Sequence, residues 1–156
     1  MSQEIERKFL VKELPADLEN YLHNEIIQGY LIVTDNDIEV RIRKKGDKYF
    51  ETVKAGSGLV RKESEKEITK EAFWDHWPLT EEKRVQKIRY EILYNGKLIE
   101  LDVYSGELEG LAVAEVEFDS EEDSGRFTPP DWFGEEVTHD ERYKNKNLAL
   151  HGKPSV

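Results

Sequence analysis

Near its beginning the chain reads Glu4-Ile5-Glu6-Arg7-Lys8-Phe9, and this stretch sets the pattern on which the fold is built. In a β-strand successive side chains point to opposite faces, so Glu4, Glu6 and Lys8 would share one face. Two carboxylates and one ammonium group in a row can hold a metal cation and contact an anion at the same time. In so charged a sequence this single row is weakly specific, and the rest of the chain has to supply the other walls of a site.

The composition favours one domain, predicted to span residues 1–156, with a single modest core. Hydrophobic and charged residues each make up 37% of the chain, and the formal net charge is −11. This acidic balance argues against a nucleic-acid partner, which normally needs a basic surface. The absence of cysteine excludes disulfides, thiolate metal sites and a cysteine nucleophile. Because no apolar run suits a signal peptide or a membrane span, we expect a cytoplasmic protein without membrane contact.

The same alternation recurs in seven later segments, so the sequence predicts eight antiparallel strands. The first strand covers residues 3–11, and the later ones cover residues 26–33, 38–45, 48–54, 59–68, 83–94, 97–104 and 111–118. Asn95-Gly96 is a strong signal for a two-residue hairpin turn. Helical patterns occupy residues 15–22, residues 69–77 with Thr69 as N-cap, a segment that begins at Ser120, and the tail 140–150. The fold class is therefore predicted as α+β, mainly β.

One parity of these strands is apolar, and the other is strongly charged with both signs present. The charged parity comprises Glu4, Glu6, Lys8, Arg41, Arg43, Lys54, Arg61, Glu63, Glu65, Lys87, Arg89, Glu100, Asp102, Glu115 and Glu117. An antiparallel sheet with one solvated face would explain this pattern. The helical and C-terminal segments, however, carry apolar residues that could cover the outside of a closed eight-stranded barrel. These residues are Leu18, Phe73, Trp74, Trp77, Trp132 and Phe133. We therefore predict a closed antiparallel barrel, or tunnel, with the charged side chains inside.

A charged lumen requires a ligand that completes the pairing, because unpaired buried charges are costly. Clustered lysine and arginine suit a polyanion, and clustered glutamate and aspartate suit a hard divalent cation. A metal-bound polyphosphate satisfies both halves. We therefore expect a small-molecule polyphosphate as the partner, and a homodimer stays open.

Taken together, these motifs resemble the CYTH superfamily, the triphosphate tunnel metalloenzymes. The resemblance rests on Glu4-x-Glu6-x-Lys8, Arg41-x-Arg43, Lys54, Glu63-x-Glu65, Lys87-x-Arg89, Glu100-x-Asp102 and Glu115-x-Glu117. Gly29-Tyr30-Leu31 and the tail motif Arg142-Tyr143-x-Asn145-x-x-Leu148-Ala149 are similar as well. The match covers nearly the whole chain, and its opening looks most like the short bacterial members, which are inorganic triphosphatases.

The resemblance implies a tunnel of eight strands, with helices packed outside and a C-terminal helix near one mouth. It implies Mg²⁺ or Mn²⁺ on the acid side, and a linear triphosphate bound by Lys8, Arg41, Arg43, Lys54, Lys87 and Arg89. Glu6 and Glu117 are the first choice as metal ligands. Their expected supports, acting directly, through water or by orienting the bases, are Glu63, Glu65, Glu100 and Asp102. The expected catalytic residues are Glu4 and Glu115, which would position and deprotonate the attacking water, together with Lys8 and Lys87, the latter at the leaving phosphate.

Two assignments and the substrate stay open. Tyr30 either hydrogen-bonds a terminal phosphate or is a core tyrosine, and the helix at residues 143–150 either plugs one mouth of the tunnel or packs on its wall. The expected reaction converts tripolyphosphate and water to pyrophosphate and orthophosphate. The alternatives are a nucleoside or thiamine triphosphatase, a class IV-type adenylate cyclase and a non-catalytic polyphosphate-binding module. The water-activating candidates count against the binding module, and no long insertion builds the base pocket that a cyclase needs.

Overall fold

One antiparallel sheet of nine strands dominates the computed structural model, which describes residues 5–36, 38–55 and 62–155. The strands are β1 (Ile5–Val11), β2 (Leu22–Val33), β3 (Glu39–Lys45), β4 (Lys48–Ala55), β5 (Lys62–Glu67), β6 (Arg84–Tyr94), β7 (Lys97–Ser105), β8 (Ala112–Phe118) and β9 (Phe133–Glu136). The helices are α1 (Lys70–His76), α2 (Glu121–Arg126) and α3 (Asn145–His151), and 3-10 turns occupy Leu18–Asn20, Trp77–Thr80, Gly106–Leu108 and Glu141–Tyr143. Within the described ranges, no helix is both long and apolar enough to cross a membrane.

The strand order differs from the predicted closed barrel of eight strands. Hydrogen-bonded neighbours follow the order β5-β4-β3-β2-β6-β7-β8-β1-β9, so β5 and β9 are the two edges of the part that is described. The ninth strand comes from a segment that the sequence pattern treats only as a source of core contacts. It pairs with β1, where Phe9 lies opposite Glu136 and Val11 lies opposite Phe133. The prediction of eight strands in a closed barrel is therefore wrong, because β9 occupies the edge of β1 that closure would need.

The sheet separates an apolar face from a charged one, as the alternation predicts. A buried cluster on the apolar face includes Phe9, Leu101 and Phe133, and Leu18 and Trp132 pack against it. Alternate residues of a strand share a face, so this cluster lies opposite to the charged parity of the same strands. The predicted apolar cover of the sheet is confirmed for these residues.

Helix α1 begins where the sequence predicts it. Thr69 Oγ1 accepts a hydrogen bond from the backbone N–H of Ala72 (3.1 Å), which satisfies one of the free donors of the first turn. Phe73 is fully buried, whereas Trp74 on the same helix is 41% exposed. Only the first of these two predicted core aromatics is therefore removed from solvent.

A second apolar cluster lies on the charged face, at one end of the sheet. It joins Tyr30, Val85 and Tyr104 to Leu148 and Ala149 of α3. Val85 has the same parity as the charged residues of β6, so its side chain projects to their side of the sheet. Helix α3 therefore covers one end of the charged face, where apolar packing holds it.

The helix predicted at residues 15–22 is wrong. Only Leu18–Asn20 forms a 3-10 turn, and β2 already begins at Leu22. Leu22 lies opposite Glu91, and Glu25 lies opposite Ile88 on β6. This ladder supplies more backbone hydrogen bonds than a helix of one or two turns could, so the long-range pairing overrides the local helical spacing.

Gly29→Ala is expected to destabilise the fold while leaving every charged residue in place. A Cβ atom at position 29 would lie 2.5 Å from Cβ of Thr80, which is fully buried. Overpacking of this kind lowers the free energy of unfolding by about 1–3 kcal/mol. Chemical denaturation should show this loss. For Gly125→Ala, where an added Cβ meets no atom within 4 Å, stability should be unchanged or higher; equal midpoints for the two variants would contradict the packing of Thr80 on β2.

Candidate active site

The charged face of the sheet encloses a cavity with a volume of about 300 Å³. The predicted site residues that line it come from β1 to β8 and are Glu6, Lys8, Tyr30, Arg41, Arg43, Lys54, Glu63, Lys87, Arg89, Glu100, Glu115 and Glu117. Glu65 and Asp102 are not among the lining residues. Glu4 and Arg61 lie outside the described residues. The fold thus brings most of the predicted residues to one cavity, although they are far apart in the sequence.

Three carboxylates converge at the acid side of the cavity. One oxygen from each of Glu6, Glu115 and Glu117 lies within 4.8 Å of the other two. A hydrogen bond with Glu115, burial and the negative charge of Glu115 raise the pKa of Glu6 to about 8. Converging carboxylate oxygens form a donor set that suits a hard divalent cation. Glu115, expected from the resemblance to act on water, therefore shares one cluster with the two first-choice metal ligands.

Two guanidinium groups at the base side are incompletely paired. Arg41 and Arg43 line the cavity from β3, and the buried Nε–H of each has no hydrogen-bond partner among the described residues. Burial and the charge of Arg41 lower the pKa of Arg43 from its ordinary value. Buried donors are normally paired, so these unpaired N–H groups are available to an acceptor in the cavity.

The supporting acids lie beside bases and not in the carboxylate cluster. Glu65 Oε2 is 3.5 Å from Arg43 Nη2 and accepts a hydrogen bond from Thr52 Oγ1 (2.8 Å). Glu100 Oε2 is 3.2 Å from Arg89 Nη1. Glu63 and Lys54 face each other across β5 and β4. These contacts fit a role in orienting the bases.

Asp102 is the counter-ion that Lys87 and Arg89 share. Its Oδ2 lies 2.9 Å from Lys87 Nζ, and its two oxygens accept hydrogen bonds from Arg89 Nε (2.8 Å) and Nη2 (2.9 Å). Lys87 is 1% exposed, and burial lowers its pKa to about 8 although Asp102 opposes the shift. Despite its own burial, Asp102 has a pKa lowered to about 2 by these two cations. Its oxygens are therefore engaged by the bases that line the cavity.

The chain entering α3 closes one end of the cavity. Asn145 Oδ1 accepts hydrogen bonds from Tyr104 OH (2.7 Å) and from Lys87 Nζ (3.4 Å). Lys8 Nζ donates to the backbone oxygen of Tyr143 (3.3 Å). Together with the buried Leu148 and Ala149, these contacts set α3 over the end of the cavity and not on the outer wall of the sheet.

Tyr30 belongs to the cavity and to the apolar cluster at the same time. It is 1% exposed, and burial raises its pKa to about 12, so the hydroxyl stays protonated at neutral pH. Gln28 Nε2 donates to this hydroxyl (3.2 Å), while Gln28 Oε1 is buried without a hydrogen-bond partner in the described part of the chain. The phosphate contact and the core position that the sequence leaves as alternatives are therefore compatible.

Sequence reasoning missed several lining residues, namely Gln28, Glu39, Lys144, Asn145 and Lys146. Gln28 and Glu39 could have been found, because each precedes a predicted site residue by two positions and so shares its face of the strand. The residues at the start of α3 have no strand parity to indicate their face, and the tail motif that contains Asn145 does not by itself assign it to the cavity. Their approach to the cavity depends on where the helix packs.

Comparison with known proteins agrees with this geometry. The CYTH domain matches residues 2–152 of the chain. An inorganic triphosphatase of Nitrosomonas europaea is 50% identical over 149 residues, which cover 94% of this chain and 97% of that protein. An inorganic triphosphatase of Acetivibrio thermocellus is 41% identical over 153 residues, covering 96% of this chain and 94% of that protein. The crystal structure of the inorganic triphosphatase NE1496 matches with a TM-score of 0.80 and 46% identity over 96% of each chain. The chain belongs to the CYTH domain family.

Proposed function

We propose that the protein is a metal-dependent inorganic triphosphatase that hydrolyses tripolyphosphate to pyrophosphate and orthophosphate. The observation that carries this proposal is the division of one cavity into a carboxylate cluster and a set of cations that includes unpaired, buried guanidinium N–H groups. Such a cavity suits a polyanion with a bound cation. Relatives that are named inorganic triphosphatases and match this chain over nearly its whole length support the same activity.

Glu6, Glu115 and Glu117 are the residues that would hold the cation, Mg²⁺ or Mn²⁺. The hydrogen bond with Glu115, burial and the neighbouring negative charges disfavour a bare carboxylate at Glu6, as its raised pKa shows, and a positive ion between the three groups would offset this cost. A divalent cation bound there would neutralise the negative charge that develops on the reacting phosphate. Of the two residues expected to activate water, Glu115 is thus proposed as a ligand, and Glu4 keeps the proposed role of orienting and deprotonating the water.

The cations of the cavity would bind and align the triphosphate. Arg41 and Arg43 offer free donors to phosphate oxygens, and Lys8 and Lys54 add positive charge along the same face. As the water oxygen forms a bond to the terminal phosphorus, the bond from that phosphorus to the pyrophosphate oxygen breaks, and the proton of the water passes to a carboxylate. Lys87 would stabilise the leaving oxygen. Such a reaction depends on alignment and charge stabilisation more than on a covalent intermediate.

The closed end of the cavity favours a short linear substrate. Helix α3 covers that end, and Lys144, Asn145 and Lys146 line it. A long polyphosphate would have to pass α3, which is fixed at this end by the burial of Leu148 and Ala149. We therefore propose tripolyphosphate as the preferred substrate over longer chains.

One assay tests the proposed activity. Release of orthophosphate should be measured from tripolyphosphate, ATP, thiamine triphosphate and pyrophosphate, each with Mg²⁺, Mn²⁺ or EDTA. We expect tripolyphosphate to give the highest kcat/KM, and EDTA to abolish release. ATP turnover that equals or exceeds tripolyphosphate turnover would refute the substrate, and cyclic AMP as a product would indicate a cyclase. Binding of tripolyphosphate without any hydrolysis would indicate that the protein is a non-catalytic binding module.

The activity is expected to decline above about pH 8, in the range where Lys87 loses its proton. The neutral amine no longer attracts phosphate, so kcat/KM should fall about tenfold for each further pH unit. The sign is opposite for stability. Between the folded pKa of about 8 and the ordinary lysine value of 10.5, the unfolded chain binds more protons, so the contribution of Lys87 to stability rises with pH.

Initial rates and thermal midpoints recorded between pH 6 and pH 10 separate these effects. In Lys87→Arg, which stays charged throughout this range, any remaining activity should show no decline that begins at the same pH. A wild-type decline that is retained unchanged in Lys87→Arg would assign the titration to another group or to the substrate.

A further inference from the structure

We propose that Asn145 is a positioning residue for Lys87, and that its amide oxygen, oriented by Tyr104, directs the buried ammonium group toward the substrate. This inference rests on the proposed triphosphatase function and extends it to a residue of the C-terminal helix. Asn145 lies on this helix, whereas most of the other residues that line the cavity lie on strands.

Two hydrogen bonds fix the direction of the Lys87 ammonium group. An ammonium group has three N–H donors and no acceptor. One donor is directed at Asp102 Oδ2 on β7 (2.9 Å), and a second reaches Asn145 Oδ1 on α3 (3.4 Å). Lys87 lines the cavity, so we infer that its third donor would contact an anion bound there. With anchors on two different elements, a long flexible side chain is held in one direction.

Tyr104 determines which way the Asn145 amide faces. Lys87 can only donate, so the atom of Asn145 that faces it has to be the amide oxygen. The Tyr104 hydroxyl donates to the same oxygen at 2.7 Å, and the Tyr104 ring lies 5.5 Å from Lys87 Nζ. Tyr104 is 4% exposed, so its hydroxyl finds its partner inside the protein. The tyrosine therefore holds the amide in the orientation that Lys87 requires.

The packing of α3 links this contact to the fold of the whole domain. Leu148 and Ala149 are buried in the cluster that contains Tyr30, Val85 and Tyr104. That packing fixes the helix on the sheet, and Asn145 begins the helix at the cavity. The direction of a central cation thus depends on an element 58 residues away in the sequence.

The test compares Asn145→Ala with Asn147→Ala, a change of the same residue type in the same helix. Asn147 Nδ2 donates to the backbone oxygen of Glu141 (2.7 Å), and Asn147 does not line the cavity. Because a small misplacement of a reacting group has large effects, Asn145→Ala should lower kcat/KM for tripolyphosphate about 10–100-fold. Asn147→Ala should stay within about twofold of the wild type, since its contacts face solvent.

A double-mutant cycle separates positioning from a general structural role. In the Lys87→Met background there is no ammonium group to direct, so Asn145→Ala should cause no further loss. A structural defect of α3 would lower the activity in both backgrounds. Tyr104→Phe removes the hydroxyl without changing a residue of the helix. It should also lower kcat/KM, but by a smaller factor than Asn145→Ala does. This variant keeps the test valid if Asn145→Ala folds poorly.

Binding distinguishes failure of this inference from failure of the proposed function. Titration calorimetry with tripolyphosphate in EDTA requires no turnover, and Asn145→Ala should bind more weakly than Asn147→Ala. If the wild type released no phosphate, the triphosphatase proposal would fail while this comparison still tested the positioning. Equal binding and equal kcat/KM in the two asparagine variants would overturn the inference, as would a loss that persists in Lys87→Met.

Discussion

Glu6→Gln is expected to lower kcat/KM for tripolyphosphate by about 10²–10³-fold, the loss typical of removing one preorganised electrostatic contact. The carboxylate of Glu6 lies in the cluster with Glu115 and Glu117, where all three oxygens are within 4.8 Å of one another. Glutamine keeps the size of the side chain and removes the carboxyl group that would ionise when it binds the metal. The apparent affinity for Mg²⁺ should therefore fall, and excess Mg²⁺ should restore part of the rate.

Proton release gives a second readout of the same site, independent of turnover. The pKa of Glu6 is raised to about 8 by its hydrogen bond with Glu115, by burial and by the charge of Glu115, so the carboxylate cluster holds about one proton at pH 7. Binding of Mg²⁺ should expel about one proton, because a coordinating carboxylate has to be ionised. Calorimetry in buffers of different ionisation enthalpy measures this number, and Glu6→Gln should release none.

Glu67→Gln is the matched control for Glu6→Gln. Glu67 is an exposed glutamate at the end of β5 and does not line the cavity. Its substitution replaces the same type of carboxyl group by the same amide, and we expect kcat/KM and Mg²⁺ affinity to stay within about twofold of the wild type. Similar losses in both variants, or unchanged Mg²⁺ affinity in Glu6→Gln, would refute the assignment of the carboxylate cluster as the metal site.

Lys87→Met is expected to lower the activity without lowering the stability of the fold. The loss of a buried cation from the cavity should lower kcat/KM by about 10²–10³-fold, as for other lost charge contacts. Yet burial lowers the pKa of Lys87 to about 8 although Asp102 opposes the shift, so burial of the ammonium group is unfavourable for the folded state at neutral pH. Asp102 keeps its two hydrogen bonds from Arg89 when the ammonium group is removed. The thermal midpoint should therefore stay unchanged or rise.

Asp102→Asn provides the contrasting result for the same network. It leaves Lys87 and Arg89 as two buried cations without their shared counter-ion, and breaking a buried pair in this way costs about 3–5 kcal/mol. Differential scanning calorimetry of both variants should show a large drop for Asp102→Asn alone. An equally large drop for Lys87→Met would mean that its ammonium group stabilises the fold and that its burial is not a cost.

The alternation of residue types predicts correctly that side chains of several distant strands lie on one face and line one cavity. Arg41 and Arg43, or Glu115 and Glu117, are two positions apart on one strand, and strand geometry alone sends both members of each pair to one face. The predicted cap at Thr69 is equally local, because a side-chain oxygen and the N–H three residues later lie within one turn of helix. Such features could be read from the chain because the atoms involved are covalent near neighbours.

The sequence could not predict which acidic residues pair with bases and which line the cavity. Glu100 and Asp102 share one strand and one parity, but Asp102 is enclosed by Lys87 and Arg89, while Glu100 lines the cavity. Likewise Glu115 approaches Glu6 only because β8 pairs with β1. Which charges become partners depends on strand order and register, and these arise from contacts between distant segments.

By itself, the sequence determined the secondary structure of most strands, the face on which most of the charged residues in the described ranges lie and the family to which the motifs point. Only the tertiary structure decided that β9 pairs with the edge of β1 and leaves the described sheet open, and that α3 brings Asn145 to Lys87. The physical reason is the range of the forces involved. Side-chain direction follows from local backbone geometry, whereas edge pairing and helix docking depend on apolar burial and hydrogen bonding between segments that no local period relates.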